Sequence, residues 1–128
     1  MTEIIHGLHM GSQYLIEDIP SDVDIIVTLN EPDKFANVPT VYIPLDDGPY
    51  LPDKTIVFLD IVKYLSSLVS DGKVVFVGCQ AGQNRSGLVV GLIMKRLGYT
   101  GAEVVGIIQR KRSMALNNDF FRGYLLNG

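Results

Sequence analysis

The strongest signal in this chain is the stretch Val74-Val-Phe-Val-Gly-Cys-Gln-Ala-Gly-Gln-Asn-Arg-Ser-Gly-Leu88. Its β-branched and aromatic start, Val74 to Val77, predicts a short strand that ends at Gly78 and Cys79. A glycine-containing loop follows, and the apolar segment from Leu88 to Leu97 is long enough for a helix. A strand, a loop and a helix N-terminus together predict an anion-binding site, because free backbone N–H groups and the positive end of the helix dipole face the loop.

The loop carries a cysteine and, six positions later, an arginine. At a helix N-terminus and near a guanidinium, Cys79 is stabilised as the thiolate, which is the nucleophilic form. Arg85 offers a planar fork that can hold two oxygens of a phosphoryl group. Gly82 lets the loop curl with its N–H groups inward, since glycine alone takes positive φ without cost. Ser86 can donate a hydrogen bond to the cysteine sulfur.

The backbone of the same loop is expected to hold the remaining phosphate oxygens. The predicted phosphate-binding residues of this P-loop are Gln80, Ala81, Gly82, Gln83, Asn84 and Arg85. A lone cysteine at a strand end is usually a buried, inert residue. The glycine, the Arg-Ser-Gly ending and the following helix favour the phosphate-binding interpretation.

This stretch resembles the signature of the cysteine-dependent protein tyrosine phosphatases, and within them the small dual-specificity branch. The family signature reads His-Cys-x-x-Gly-x-x-Arg-Ser/Thr, and Cys79, Gly82, Arg85 and Ser86 match it. One position departs, because Gly78 stands where the family has histidine. In the family that histidine helps to organise the loop and to tune the thiolate.

The resemblance implies a two-step mechanism without a metal or other cofactor. The thiolate of Cys79 attacks phosphorus, Arg85 and the loop amides hold the oxygens, and an aspartate protonates the leaving group. Water then hydrolyses the phosphocysteine, with the same aspartate as base and Ser86 stabilising the departing thiolate. The implied partner is a phosphorylated protein. A shallow pocket would admit phosphoserine and phosphothreonine as well as phosphotyrosine.

Two aspartates are candidates for the general acid. Both lie in the glycine- and proline-rich loop Asp46 to Pro52, which follows the strand predicted over Thr40 to Leu45. Sites of α/β proteins lie at this edge of the sheet. The family's spacing from the preceding Ile-Pro favours Asp47, with Asp46 as the alternative. Both aspartates could instead only cap a turn.

The remaining segments predict alternating strands and helices. Ile4 to Met10 predicts a strand pair around a tight bend, and Asp24 to Asn30 predicts a buried parallel strand. Asp53 is expected to cap a helix over Lys54 to Ser70, and Gly98 to be a C-cap. A capping box from Thr100 to Glu103 precedes a predicted helix over Ala102 to Arg112, and Asn118 is expected to cap a final helix. The expected fold is a three-layer α/β domain, in which helices flank a mixed central sheet, similar to the dual-specificity phosphatases.

Two polar clusters have less specific meanings. Gln109 to Arg112 could form a basic rim, although a solvated last helical turn is favoured because cations suit that end of the dipole. His6 and His9 are spaced like a metal pair, but no cysteine or carboxylate cluster accompanies them, so we expect strand residues and no metal.

Length and composition limit the classes of protein to which this chain can belong. The chain has 128 residues, of which 47% are hydrophobic and 20% charged, so we expect one ordered domain over residues 1–128. A net charge of −3 argues against nonspecific nucleic-acid binding. A single cysteine excludes an internal disulfide and agrees with a reducing compartment. Because the sequence has neither a signal-peptide pattern nor an apolar run of membrane-spanning length, we expect a cytoplasmic protein. The sequence does not determine the oligomeric state.

Three alternatives to a protein phosphatase remain. The Asn84-Arg85 end of the loop also looks like that of cysteine-dependent RNA 5′-triphosphatases. A phosphate-binding module without useful turnover would follow if Gly78 disables catalysis. Rhodanese-type sulfur transfer also uses a cysteine loop, but it explains neither Asp47 nor the Arg-Ser-Gly ending.

Overall fold

The computed structural model describes residues 2–15, 19–32 and 38–127. In chain order its elements are β1 (Thr2–Ile5), β2 (Leu8–Ser12), β3 (Ile25–Thr28), β4 (Thr40–Tyr42), α1 (Thr55–Ser70), β5 (Val75–Cys79), α2 (Arg85–Arg96), α3 (Gly101–Lys111) and α4 (Asp119–Asn127). Within these ranges no helix combines the length and the apolar character that crossing a membrane requires.

The strand that leads to the cysteine is the centre of the sheet. The strand order is β1-β2-β5-β3-β4, with β1 antiparallel to β2 and the other neighbours parallel. Val75, Phe76 and Val77 are completely buried, as expected for a parallel strand covered on both faces. The carboxyl ends of the parallel strands therefore meet at one edge, where the cysteine lies. The predicted α/β fold with a mixed central sheet is confirmed.

One face of the sheet is covered by the helices, and all four contribute side chains to a single hydrophobic core. Helix α2 packs centrally, since it contacts the other three helices as well as β2 and β5. On the opposite face Phe76, Ile26 and His9 are also buried. This packing fixes the end of β5 and the start of α2 relative to each other.

Two element boundaries near the site and one predicted cap differ from the sequence-based expectation. Helix α2 begins at Arg85 and not at Leu88, so the arginine belongs to its first turn. Strand β4 ends at Tyr42 and not at Leu45, since Pro44 cannot donate to a ladder. The prediction that Asp53 caps α1 is wrong, because the N-cap residue is Lys54 and no side chain caps this helix.

The other turn and cap predictions are confirmed. Gly7, in the bend between β1 and β2, has φ of 82°. Thr100 and Glu103 form the reciprocal bonds of a capping box. Gly98 has φ of 108° and follows α2 in a Schellman arrangement, in which Tyr99 N–H donates to the Met94 carbonyl.

Candidate active site

The predicted nucleophile lies at the junction of β5 and α2. Cys79 is the last residue of β5 and is 2% exposed, and Arg85 is the first residue of α2. Sγ of Cys79 lies 3.4 Å from Oγ of Ser86, which is fully buried. With the cysteine ionised, the serine hydroxyl is the donor in this contact. The structure thus places the predicted thiolate, its hydroxyl partner and the arginine around one loop.

The loop is anchored from outside by its carbonyl oxygens. The four contacts are Gln13 N–H to Cys79 O at 2.9 Å, Ser12 Oγ to Gln80 O at 2.7 Å, Arg112 Nη2 to Ala81 O at 3.4 Å, and Leu116 N–H to Gln83 O at 3.4 Å. In a trans peptide the N–H points opposite to the C=O. The outward carbonyls therefore turn the N–H groups of Gln80, Ala81, Gly82 and Asn84 toward the interior of the loop. That orientation suits an anion.

Gly82 allows the loop to approach the end of β2. Its φ is 68°, and a Cβ at this position would lie 2.4 Å from the carbonyl carbon of Gly11. Both the backbone conformation and the lack of space therefore require glycine. The position matches the glycine expected from the sequence.

The glycine that replaces the family histidine is tightly packed. A Cβ on Gly78 would lie 2.8 Å from Cε2 of Phe76 and 3.0 Å from Cβ of Gln13. The Gln13 side chain is buried, and its Oε1 accepts hydrogen bonds from the N–H groups of Leu29 and Asn30. Gly78 therefore does not leave a cavity, and a side chain here would have to displace Phe76 or Gln13.

The start of α2 supplies positive partial charge and an arginine. The N-cap residue Asn84 makes no side-chain cap bond, so it leaves the first N–H groups of the helix available. Among the described residues no carboxylate forms a salt bridge with Arg85. Both features suit a phosphoryl group, whose oxygens accept hydrogen bonds from amides and guanidinium.

The favoured general acid is tied directly to the loop. Nδ2 of Asn84 lies 3.1 Å from Oδ2 of Asp47, and Nδ2 of Asn118 lies 2.7 Å from Oδ1. Oδ1 of Asn84 accepts from the backbone N–H of Asn118 at 2.9 Å. Each carboxylate oxygen has two acceptor positions, so these amide bonds leave room for a proton. Asp47, Asn84 and Asn118 thus form a closed triangle at the mouth of the loop.

The alternative acid, Asp46, faces elsewhere. Its Oδ2 accepts a hydrogen bond from the hydroxyl of Tyr50 at 3.3 Å, and it lines a groove beside α1. The nearby carboxylate raises the pKa of Tyr50 above its ordinary value, chiefly by charge repulsion of the phenolate. The structure therefore brings Asp47, and not Asp46, to the predicted phosphate-binding loop.

Sequence reasoning missed several residues that organise this site. Asn118 was predicted only as a cap; it does accept from Phe121 N–H at 3.0 Å, but it also binds Asp47. The preferred solvated turn is wrong for Arg112, whose Nη1 donates to Thr2 Oγ1 at 2.9 Å and whose Nη2 reaches the loop. Ser12 lies just beyond the strand pair predicted over Ile4 to Met10, and no sequence signal linked it to the loop.

The histidines do not form a metal pair within the described part of the chain. Nε2 of His9 lies 3.5 Å from Oε2 of Glu3, and burial lowers the pKa of His9 below its ordinary value. In residues 2–15, 19–32 and 38–127 no group of three or more histidine, cysteine or acidic side chains could hold a metal ion.

Comparison with known proteins agrees with this geometry. Residues 11–127 match the model of the dual specificity phosphatase catalytic domain. The chain is 28% identical over 122 residues to protein 123R of Invertebrate iridescent virus 6, named as a tyrosine phosphatase, covering 94% of this chain and 85% of that protein.

Solved structures share the fold. The crystal structure of DUSP15 superposes with a TM-score of 0.80 at 24% identity, covering 98% of this chain and 85% of that one. OH1 from the Orf virus, described as a tyrosine phosphatase with triple substrate specificity, gives a TM-score of 0.74 at 25% identity, covering 98% and 84%.

Proposed function

The chain belongs to the family of dual specificity phosphatases and is an enzyme of that class, and on this premise we propose that it hydrolyses phosphate monoesters on proteins through a phosphocysteine at Cys79. Phosphotyrosine is the proposed main substrate group, with phosphoserine and phosphothreonine as further ones. A nucleophilic cysteine has to stay reduced, so the proposed compartment is the cytoplasm.

The observation that carries the proposal is the bond between Asp47 and Asn84 beside an anion-binding loop. A carboxylate at the mouth of such a loop repels a phosphate dianion. A module that only binds phosphate gains nothing from this arrangement. A phosphatase needs it, because the same group, once protonated, supplies the proton for the leaving oxygen.

The proposed first step forms a bond from Sγ of Cys79 to phosphorus and breaks the ester bond. Arg85 and the inward N–H groups of the loop hold the three nonbridging oxygens. Asp47 gives its proton to the leaving oxygen, which departs as a neutral alcohol or phenol. The phosphoryl group is then bound to the enzyme.

In the second step Asp47 acts as a general base instead of a general acid. Asp47, now ionised, takes a proton from a water molecule that attacks phosphorus. The bond from phosphorus to Sγ breaks, and the hydroxyl of Ser86, 3.4 Å away, stabilises the thiolate that leaves. Inorganic phosphate is released and the enzyme regains its starting state.

The test is turnover by the purified, reduced protein in the presence of a chelator. We expect hydrolysis of p-nitrophenyl phosphate and of phosphotyrosine peptides, with inhibition by vanadate, which fills the loop as a phosphate analogue. Binding of phosphate without any turnover would favour the noncatalytic module. Release of phosphate from triphosphate-ended RNA, with phosphopeptides untouched, would favour the RNA 5′-triphosphatase alternative.

A further inference from the structure

A groove lies directly beside the loop that carries the proposed acid. It has a volume of about 460 Å³, and its lining includes Tyr42, Tyr50, Asp53, Lys54, Val57 and Phe58. Asp46 also lines it, and Asp46 directly precedes the proposed acid Asp47 in the chain. A segment of substrate that flanks the phosphorylated residue would reach the groove within a few residues.

The groove has an apolar floor that is open to solvent. Tyr50 is 49% exposed and Val57 is 53% exposed, while Phe58, which also lines the groove, is buried. Its size is within the range of pockets that bind ligand groups, about 300–1,000 Å³. An aliphatic side chain of a substrate would be removed from water here, which favours binding.

The polar rim of the groove is acidic on the side of the loop that carries Asp47. Asp46 and Asp53 both act electrostatically on the hydroxyl of Tyr50, with Asp46 as the larger contribution. Lys54 also lines the groove. A guanidinium or ammonium group on a substrate would therefore meet carboxylates and an aromatic ring at this end.

We infer that this groove, lined by Asp46, Tyr50, Asp53 and Val57, selects phosphoprotein segments that carry a basic residue next to an aliphatic residue near the phosphorylated position. The inference rests on the proposed phosphatase function. A substrate segment is the proposed occupant because the acidic rim lies next to the loop that carries Asp47 and complements a basic side chain.

The experiment uses phosphotyrosine peptides with an alanine background, in which an Arg-Leu pair is moved along both sides of the phosphotyrosine. At one placement we expect kcat/KM to rise roughly fivefold, which corresponds to an exposed ion pair together with partial apolar burial. A Glu-Ser pair at the same placement should give no rise. A flat scan, or a preference for Glu-Ser, would overturn the inference.

Two variants locate the effect, and a third is the matched control. Asp53→Lys and Val57→Lys should each remove the Arg-Leu preference. Asp71→Lys makes the same charge change as Asp53→Lys, but at the exposed far end of α1, and should keep the preference. All three should hydrolyse p-nitrophenyl phosphate like the wild type, because this substrate is too small to reach the groove. A preference that survives both groove variants would contradict the inference.

Failure of the inference is distinguishable from failure of the proposed function. If p-nitrophenyl phosphate is not hydrolysed, the phosphatase proposal fails, and the groove is then tested by binding of the same peptides to Cys79→Ser. In that binding measurement, equal affinities for the Arg-Leu and alanine peptides would contradict the groove proposal. Light scattering tests another occupant, since a dimer that Val57→Lys dissociates would assign the groove to a second copy of the chain.

Discussion

Nδ2 of Asn118 lies 2.7 Å from Oδ1 of Asp47, so the residue that caps α4 also holds the proposed general acid. The same amide donates to the carbonyl of Gly48 at 3.1 Å. One side chain therefore fixes both the carboxyl group and the backbone of its loop. Catalysis depends on such positioning, because proton transfer requires the acid to be within hydrogen-bonding reach of the leaving oxygen.

Replacing Asp47 should affect poor leaving groups most. Asp47→Asn should slow the hydrolysis of phosphotyrosine and alkyl phosphates on the order of 10²-fold, because general acids contribute about that much or more. Activated aryl phosphates need little protonation and should be slowed much less. Steady-state kinetics over a series of leaving groups measures this. Asp46→Asn is the matched control, and the same selective loss in that variant would show that Asp46, and not Asp47, is the general acid.

Removing the amide of Asn118 should reproduce part of this effect without unfolding α4. Asn118→Ser deletes the donor to Asp47 but keeps a good N-cap. We expect kcat for alkyl phosphates to fall about tenfold, with KM nearly unchanged, since the loss is in positioning and not in binding. The double variant with Asp47→Asn should show no further loss, because the two residues act as a unit. Additive losses would mean that Asn118 acts independently of Asp47.

Replacing Gly82 should destroy the anion site. An alanine Cβ would meet the backbone of Gly11 at 2.4 Å, so the loop cannot keep its shape. We expect vanadate affinity to fall at least about tenfold, equivalent to about 1.4 kcal/mol. Gly72→Ala is the control, since Gly72 also has positive φ, 85°, but has no atom within 4 Å of the added Cβ.

The Gly72→Ala protein should lose about 1 kcal/mol of stability from backbone strain and keep its vanadate affinity. Circular dichroism checks that both glycine variants are folded. A folded Gly82→Ala protein with wild-type vanadate affinity would contradict the account of the loop.

Much of the candidate site was predictable, because a cysteine, an arginine and a glycine at fixed spacing are local features of one strand–loop–helix unit. The position of Asp47 at the loop was predictable from the family spacing, but its bonds to Asn84 and Asn118 were not. They join residues 37 and 71 positions apart along the chain, which no local pattern encodes.

The consequence of Gly78 was also hidden in the sequence. Its packing against Phe76 and Gln13 depends on which face of β5 each side chain occupies. Likewise, Asp53 precedes α1 as a cap would, yet the bond at that turn comes from Thr55, whose Oγ1 donates to the Pro52 carbonyl at 2.8 Å. Cap propensity gave the correct region and the wrong residue.

Stability should fall in mild acid because of His9. Burial lowers its pKa below the ordinary value of 6.5, and Glu3 and Asp22 oppose this only in part. Between the two pKa values the unfolded chain binds the proton and the folded chain does not, so the free energy of unfolding decreases as pH falls below about 6.5. Urea unfolding at pH 7.5 and 5.5 measures the loss.

His9→Gln should reduce this pH dependence, whereas His6→Gln, which removes the exposed histidine, should keep it. An unchanged difference between the two pH values in His9→Gln would show that other groups cause it.

The assignment of Cys79 as the nucleophile can be tested by trapping its phosphorylated form. Reduced protein should be mixed with p-nitrophenyl phosphate, quenched within one turnover and mapped by mass spectrometry, with Cys79→Ser as the control. We expect one phosphoryl group on the peptide that contains Cys79, and neither label nor turnover in Cys79→Ser, which should still bind vanadate. Appreciable turnover by Cys79→Ser, or a phosphoryl group on any other residue of the active wild type, would contradict this assignment.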